Sequence, residues 1–292
     1  MLRAVNYWAF PGGLAGTMKI EDAIDQAAEA GFEGIELCVG QTGELTDTTS
    51  SKRCSEIVQY AKKAGIKISS LASGVYWGLP MTSPDASVRQ QSLKFLKGAL
   101  RVTSDLGAQV LLTIPGYVHA DFIPDCQAIP YDKAYERAVE QIREAAKDAE
   151  KLGVVIGIEN VWNKFLWSPL EFTRFLDDCG SGSVKAYYDV SNTVAFGDTA
   201  DWIRILGSRI ARVHFKEYKK RRNQDGSVSW TGFPEGFEYP LGSGDVNFPV
   251  VIQALKKVGY DGPVTYEYLN FNNEPGVIRR LANELNEVLK AK

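Results

Sequence analysis

The chain has 292 residues, 45% of them hydrophobic and 24% charged, with a net charge of −3. That length holds one large domain or two ordinary ones, and a barrel of eight strand–helix units needs about 250 residues. The near balance of charge excludes a basic nucleic-acid surface and a disordered acidic tail, so the expected partner is a small molecule, with no nucleic acid and no membrane.

No apolar run approaches the roughly 18 to 20 residues of a membrane span. Met1-Leu2-Arg3-Ala4-Val5-Asn6-Tyr7 lacks the basic-then-apolar order of a signal peptide, which makes the cytoplasm the expected location. Cys38, Cys54, Cys126 and Cys179 are widely spaced and form no Cys-x-x-Cys pair. They are expected to be free, buried thiols.

Taken in chain order, strands are expected at Leu2–Phe10, Gly34–Val39, Ile66–Ala72, Gln109–Pro115, Val154–Val161, Val184–Val190, Ile210–Glu217 and Pro263–Tyr268. Stretches of helical spacing lie between them, such as Ile20-x-x-Ala23-Ile24-x-x-Ala27-Ala28 and Leu93-x-x-Leu96-x-x-x-Leu100. Glycine closes the helical stretches at Ala30-Gly31, Ala64-Gly65, Leu106-Gly107, Leu152-Gly153 and Val258-Gly259, where a left-handed cap is needed. Near-continuous apolar strands joined by helices predict an α/β fold whose parallel sheet is covered on both faces. Eight such units predict closure into one (β/α)8 TIM barrel over residues 1–292, with an open doubly wound sheet as the alternative.

Four of the predicted strands carry one metal-capable side chain near their ends: Glu159 in Val154-Val155-Ile156-Gly157-Ile158-Glu159, Asp189 in Val184-Lys185-Ala186-Tyr187-Tyr188-Asp189, His214 in Ile210-Ala211-Arg212-Val213-His214, and Glu267 in Val264-Thr265-Tyr266-Glu267. Charge at the end of a buried strand is costly unless it is paired or bound to a cation. Alone, a strand-end Glu is most simply a salt-bridge partner, and Asp189 a cap for the Ser191-Asn192 turn. Repeated on successive strands of a barrel, whose chemistry sits at the strands' C-terminal ends, the pattern predicts a divalent metal site. Three carboxylates and one imidazole favour Mn²⁺, with Mg²⁺, Co²⁺ and Zn²⁺ also compatible. His119, the second of two histidines, follows the fourth strand and is a candidate for the pocket wall. Trp8, Trp77 and Trp162 follow strands one, three and five and are candidates for the pocket wall or for core packing. Residues 223–241 form a long aromatic loop, suited to a lid or a dimer contact.

These residues resemble the sugar phosphate isomerase/epimerase family of xylose-isomerase-like barrels. The likeness runs from Gly31-Phe32-Glu33-Gly34-Ile35-Glu36-Leu37 through Ile158-Glu159-Asn160, Tyr188-Asp189-Val190-Ser191-Asn192, Val213-His214-Phe215-Lys216-Glu217 and Gly242-Ser243-Gly244-Asp245-Val246-Asn247-Phe248. The resemblance implies a ketose 3-epimerase or hexulose-6-phosphate-isomerase-like enzyme with Glu159, Asp189, His214 and Glu267 as metal ligands. It also implies an enediolate formed by proton transfer, Glu159 and Glu267 as the acid–base pair, and a homo-oligomer. Opposed carboxylates give epimerisation; proton movement between neighbouring carbons gives isomerisation.

Asn192 stands where free-ketose epimerases place a substrate-holding histidine, and it resembles the pentulose-phosphate branch instead. Lys216 and Lys219 are candidate substrate contacts, Lys219–Arg222 a candidate phosphate-binding run, and Glu217 a candidate orienter of Lys216 or of a metal ligand. A lyase of the same fold, either a dehydratase or a keto-glycoside-cleaving enzyme, is the alternative. Two histidines are too few for a three-metal DNA repair site, and a silent binding protein would be expected to lose ligands.

Overall fold

The structure, a computed structural model, describes residues 1–290. Strands β1 Arg3–Asn6, β2 Gly34–Cys38, β3 Lys67–Ala72, β4 Val110–Thr113, β5 Val155–Glu159, β6 Val184–Asp189 and β7 Ile210–Phe215 are followed by a two-stranded ribbon, β8 Arg221–Arg222 and β9 Val228–Ser229, and by β10 Val264–Tyr266. The ribbon is antiparallel and lies outside the main sheet. The other eight strands are parallel and close in the order β1-β10-β7-β6-β5-β4-β3-β2. Eight helices, α1 Ile20–Ala30, α2 Ser51–Ala64, α3 Ala86–Asp105, α4 Tyr131–Leu152, α5 Pro169–Asp178, α6 Thr199–Leu206, α7 Phe248–Lys257 and α8 Val277–Lys290, alternate with the barrel strands. This is the closed (β/α)8 TIM barrel that the strand–helix rhythm predicts; the open sheet is excluded.

Each expected strand is present and shorter than predicted, because apolar runs continue past the last ladder hydrogen bond. At β1, Asn6 Oδ1 accepts from Trp8 N at 2.6 Å and turns the chain into a 3-10 turn over Tyr7–Ala9, so the apolar stretch to Phe10 is not strand. At β7 the ladder ends with Phe215, and Lys216 and Glu217 stand above it.

Helices are fixed at both ends by local chemistry. Ser50 Oγ accepts from Arg53 N at 3.2 Å, Asp85 and Asp198 cap α3 and α6, and Asn247 caps α7. Gly31 and Gly153 end α1 and α4 at φ 91° and 65°, angles that cost an L-residue with a side chain roughly 1 kcal/mol or more. In α4 the stripe Ala134, Ala138, Ile142, Ala145 and Ala149 is buried at helical spacing while its other faces carry charge, as an outer-ring helix of a barrel requires. Cys54 and Cys179 are buried as expected. Cys38 and Cys126 are not; Cys38 ends β2 at a cavity wall, and Cys126 lies in the loop after β4.

Candidate metal centre and substrate cavity

Parallel register brings the four strand-end groups together. Asp189 and His214 are partners across β6 and β7, Glu159 pairs with Tyr187 on β6, and Thr265 of β10 pairs with His214 two residues before Glu267. One ligand atom from each of Glu159, Asp189, His214 and Glu267 lies within 4.8 Å of all the others, and all four residues are buried. His214 Nδ1 is 3.5 Å from Glu159 Oε1 and 3.8 Å from Glu267 Oε1. Asp189 caps the turn that follows it and still faces the cluster. Its Oδ1 caps the following turn, accepting from Ser191 N, Ser191 Oγ and Asn192 N at 2.7 to 3.0 Å, which fixes Oδ2 toward the other three groups.

Beneath this cluster lies a polar layer that the four-residue pattern does not reveal. Glu36, in the middle of Ile35-Glu36-Leu37 on β2, is fully buried. Its Oε1 accepts from Asn6 Nδ2 at 2.5 Å and meets His214 Nε2 at 2.8 Å; its Oε2 accepts from Ser70 Oγ at 2.7 Å and from the Tyr187 hydroxyl. Accepting at Nε2, the Glu36 carboxylate keeps a proton there and leaves Nδ1 facing Glu159 and Glu267, the nitrogen that would bind a cation in exchange for any proton it carries. This is the carboxylate–histidine arrangement by which metal-ligating imidazoles are oriented. The signal was present in the sequence, as an acid flanked by buried aliphatics, but its mid-strand position separated it from the strand-end set.

The donor set fits a divalent cation. His214 Nδ1 is buried without a hydrogen-bond partner, and Asp189 Oδ2 accepts no well-directed hydrogen bond. The nearest cation to the carboxylates is Lys216 Nζ, 2.9 Å from Asp189 Oδ2 and 2.5 Å from Glu267 Oε2. Four carboxylates, Glu36, Glu159, Asp189 and Glu267, crowd around this ammonium and His214, and a donor set without thiolate selects an oxygen-preferring or borderline ion. The shifts follow from the crowding. Burial, with the neighbouring Glu267 charge, pushes Glu159 up to about 7. Burial opposes ionisation of Asp189 and His214 too, but Lys216 and His214 outweigh it and hold Asp189 low, while Glu36 and Glu267 hold His214 high. Asn160 fixes the backbone between β5 and β6, donating to Asp189 O at 2.8 Å and accepting from Asp189 N at 2.9 Å.

The cluster forms the floor of a cavity of about 620 Å³, which Glu159, Lys216 and Glu267 line together with Trp8, Trp77, Trp162 and Asn192. Trp162 Nε1 donates to Asn192 O at 2.9 Å, and Asn192 Nδ2 donates to Asn160 O at 2.9 Å. Two expected contacts lie elsewhere. His119 is not in the wall; its Nδ1 is 3.1 Å from Asp121 Oδ1, on a loop held by His119 N to Asn163 O. Lys219 is exposed and rests its Nζ 5.0 Å above the Tyr239 ring, with Arg222 on Asp245, so the basic run after β7 faces away from the cavity.

Glu217 orients neither Lys216 nor a metal ligand. Its buried carboxylate accepts from Tyr218 N, Gly242 N and Val246 N at 2.8 to 3.1 Å and so pins the Gly-Ser-Gly turn. A Cβ on Gly244 would come within 2.4 Å of Glu217 Oε1, which is why that turn needs glycine. Of the long aromatic loop, Phe233 and Phe237 reach the cavity, while Trp230 packs on Trp162, Trp167 and Phe196.

Residues 24–288 match the family described as xylose isomerase-like TIM barrel. A putative L-ribulose-5-phosphate 3-epimerase of Escherichia coli is 26% identical over 247 residues, covering 82% of this chain and 80% of its own length. A D-psicose 3-epimerase of Enterocloster bolteae is 25% identical over 252 residues, covering 84% and 75%. The solved D-psicose 3-epimerase of Clostridium cellulolyticum H10 superposes with a TM-score of 0.76 at 19% identity, over 99% of this chain and 98% of that one.

Proposed function

The chain belongs to the xylose isomerase-like TIM-barrel family, and from that premise we propose that it is a divalent-metal-dependent carbohydrate epimerase that inverts the carbon beside a ketose carbonyl. Glu159, Asp189, His214 and Glu267 hold the ion, with Mn²⁺ favoured by the oxygen-rich donor set. When bound, the ion polarises the carbonyl and the adjacent hydroxyl and acidifies the proton on the hydroxyl-bearing carbon.

Glu159 removes that proton, and Glu267 delivers one to the other face. β5 and β10 are separated by β6 and β7 in the barrel, so the two carboxylates approach from different sides of the floor. Glu159 lines the cavity, where it meets the sugar carbon directly. Lys216, clamped between Asp189 and Glu267, holds the Glu267 side chain in place. Asn192, whose Nδ2 is committed to Asn160, offers Oδ1 to a sugar hydroxyl, and Trp8 offers a ring face.

The observation that carries this reading is the convergence of two cavity-facing carboxylates on an imidazole nitrogen that has no partner. A lyase is the second reading, favoured by a cavity larger than a monosaccharide fills: the same proton abstraction followed by loss of a β-substituent. Incubation of the Mn²⁺-loaded protein with ketoses in D₂O, followed by NMR, separates the two. An epimerase incorporates deuterium at the inverted carbon and loses no substituent; a lyase releases one. No exchange with metal bound would reject both.

A further inference from the structure

We propose that the substrate is a neutral keto-sugar carrying a flat apolar group, such as an aromatic keto-glycoside, and not a sugar phosphate. The inference rests on the reading of the floor as a sugar-binding proton-transfer centre and concerns the rest of the cavity. Above the floor the wall offers no charge: among the described residues, the charged side chains that line the cavity are Glu159, Lys216 and Glu267. Lys216 is already held by two carboxylates, and the basic run after β7 is turned to Tyr239 and Asp245.

Glycine-rich segments at the wall do not make up for the missing cations, since the N–H groups of Gly13, Gly16 and Gly40 donate to Phe10 O, Gly13 O and Leu45 O. A phosphate monoester, carrying about −1.5 to −2 charge, would enter beside three acids with no cation of its own, a costly burial. A neutral sugar meets no such cost.

The rim shows what occupies the remaining space. Trp77, Phe122, Phe233 and Phe271, from the loops after β3, β4, β7 and β10, form an unbroken arc with centroid separations of 4.8, 5.4 and 5.9 Å. Phe122 and Phe271 are 40% and 47% exposed. Contiguous exposed rings of this kind mark binding surfaces. About 620 Å³ falls within the roughly 300 to 1,000 Å³ of sites that enclose drug-sized ligands, which suits a sugar joined to a ring system. Edge-to-face and tilted rings such as these present the faces and edges against which a planar group packs.

Calorimetric titration of the Mn²⁺-loaded protein with phenyl β-D-glucopyranoside, methyl β-D-glucopyranoside, glucose and glucose 6-phosphate tests the inference without requiring turnover. The phenyl glycoside should bind at least about tenfold more tightly than the methyl glycoside, the gain expected from seating one ring. The Phe122→Ala/Phe233→Ala variant, altered only in loops, should bring that ratio within about twofold. Glucose 6-phosphate should bind no more tightly than glucose. Equal binding of the two glycosides, or a marked preference for the phosphate, would overturn the inference. Failure of deuterium exchange with the phenyl preference intact would reject the epimerase reading alone, and exchange on ketoses without that preference would reject this inference alone.

Discussion

Strands build the floor of the cavity, and loops build its rim. At the floor, Asn6, Glu36, Ser70, Glu159, Tyr187, Asp189 and His214 project from β1, β2, β3, β5, β6 and β7, each locked by hydrogen bonds or by register. At the rim, Trp77, Phe122, Phe233 and Phe271 come from four connections between strand and helix and touch only through ring edges and faces. A closed parallel sheet dictates where a strand residue points, whereas a loop can change length and composition without disturbing the barrel. On the proposed function, chemistry is invested in the rigid part and substrate choice in the replaceable part.

Substitutions at the floor should be the most damaging. Glu159→Gln and Glu267→Gln should each lower turnover by about 10²-fold or more, the usual contribution of a general acid or base, with metal content measured alongside. Full activity of either variant with metal bound would break the two-carboxylate assignment. Glu36 acts one step away, through His214. Glu36→Gln should weaken Mn²⁺ binding by roughly 10 to 100-fold in a competition titration while the fold, followed by circular dichroism, persists. Unchanged affinity would show that the imidazole is oriented by the barrel alone. The smallest effect is expected outside both regions. Replacing Lys219 and Lys220 by Ala should leave KM unchanged for neutral and phosphorylated ketoses alike, since Lys219 lies on Tyr239 and neither lines the cavity. A rise in KM confined to the phosphate would mean that this run swings inward to read it.

The same division governs what the sequence reveals. Strand-borne features were legible because period, burial and the cost of charge act locally: the eight strands, the glycine-closed helices, and the four groups Glu159, Asp189, His214 and Glu267 all follow from short apolar runs and their ends. Glu36 obeyed the same rule and was missed because its partners, Asn6, Ser70, Tyr187 and His214, are brought together only by barrel closure. Loop-borne features were less legible. His119 and Lys219 follow the right strands but turn toward Asp121 and Tyr239, and nothing in their spacing says so. Glu217, read as a partner for Lys216, instead spends its carboxylate on backbone N–H groups across the Gly-Ser-Gly turn, a contact over more than twenty residues.

The central claim is that the strand-built floor is a single divalent-ion site, and titration of the metal-free protein with Mn²⁺, beside its isosteric Asp189→Asn variant, tests it most directly. The account predicts one ion per chain for the native protein and binding weakened by at least about tenfold in the variant, which loses one of the four anchoring donors. Absence of binding to the native protein, or the same affinity in both, would contradict it.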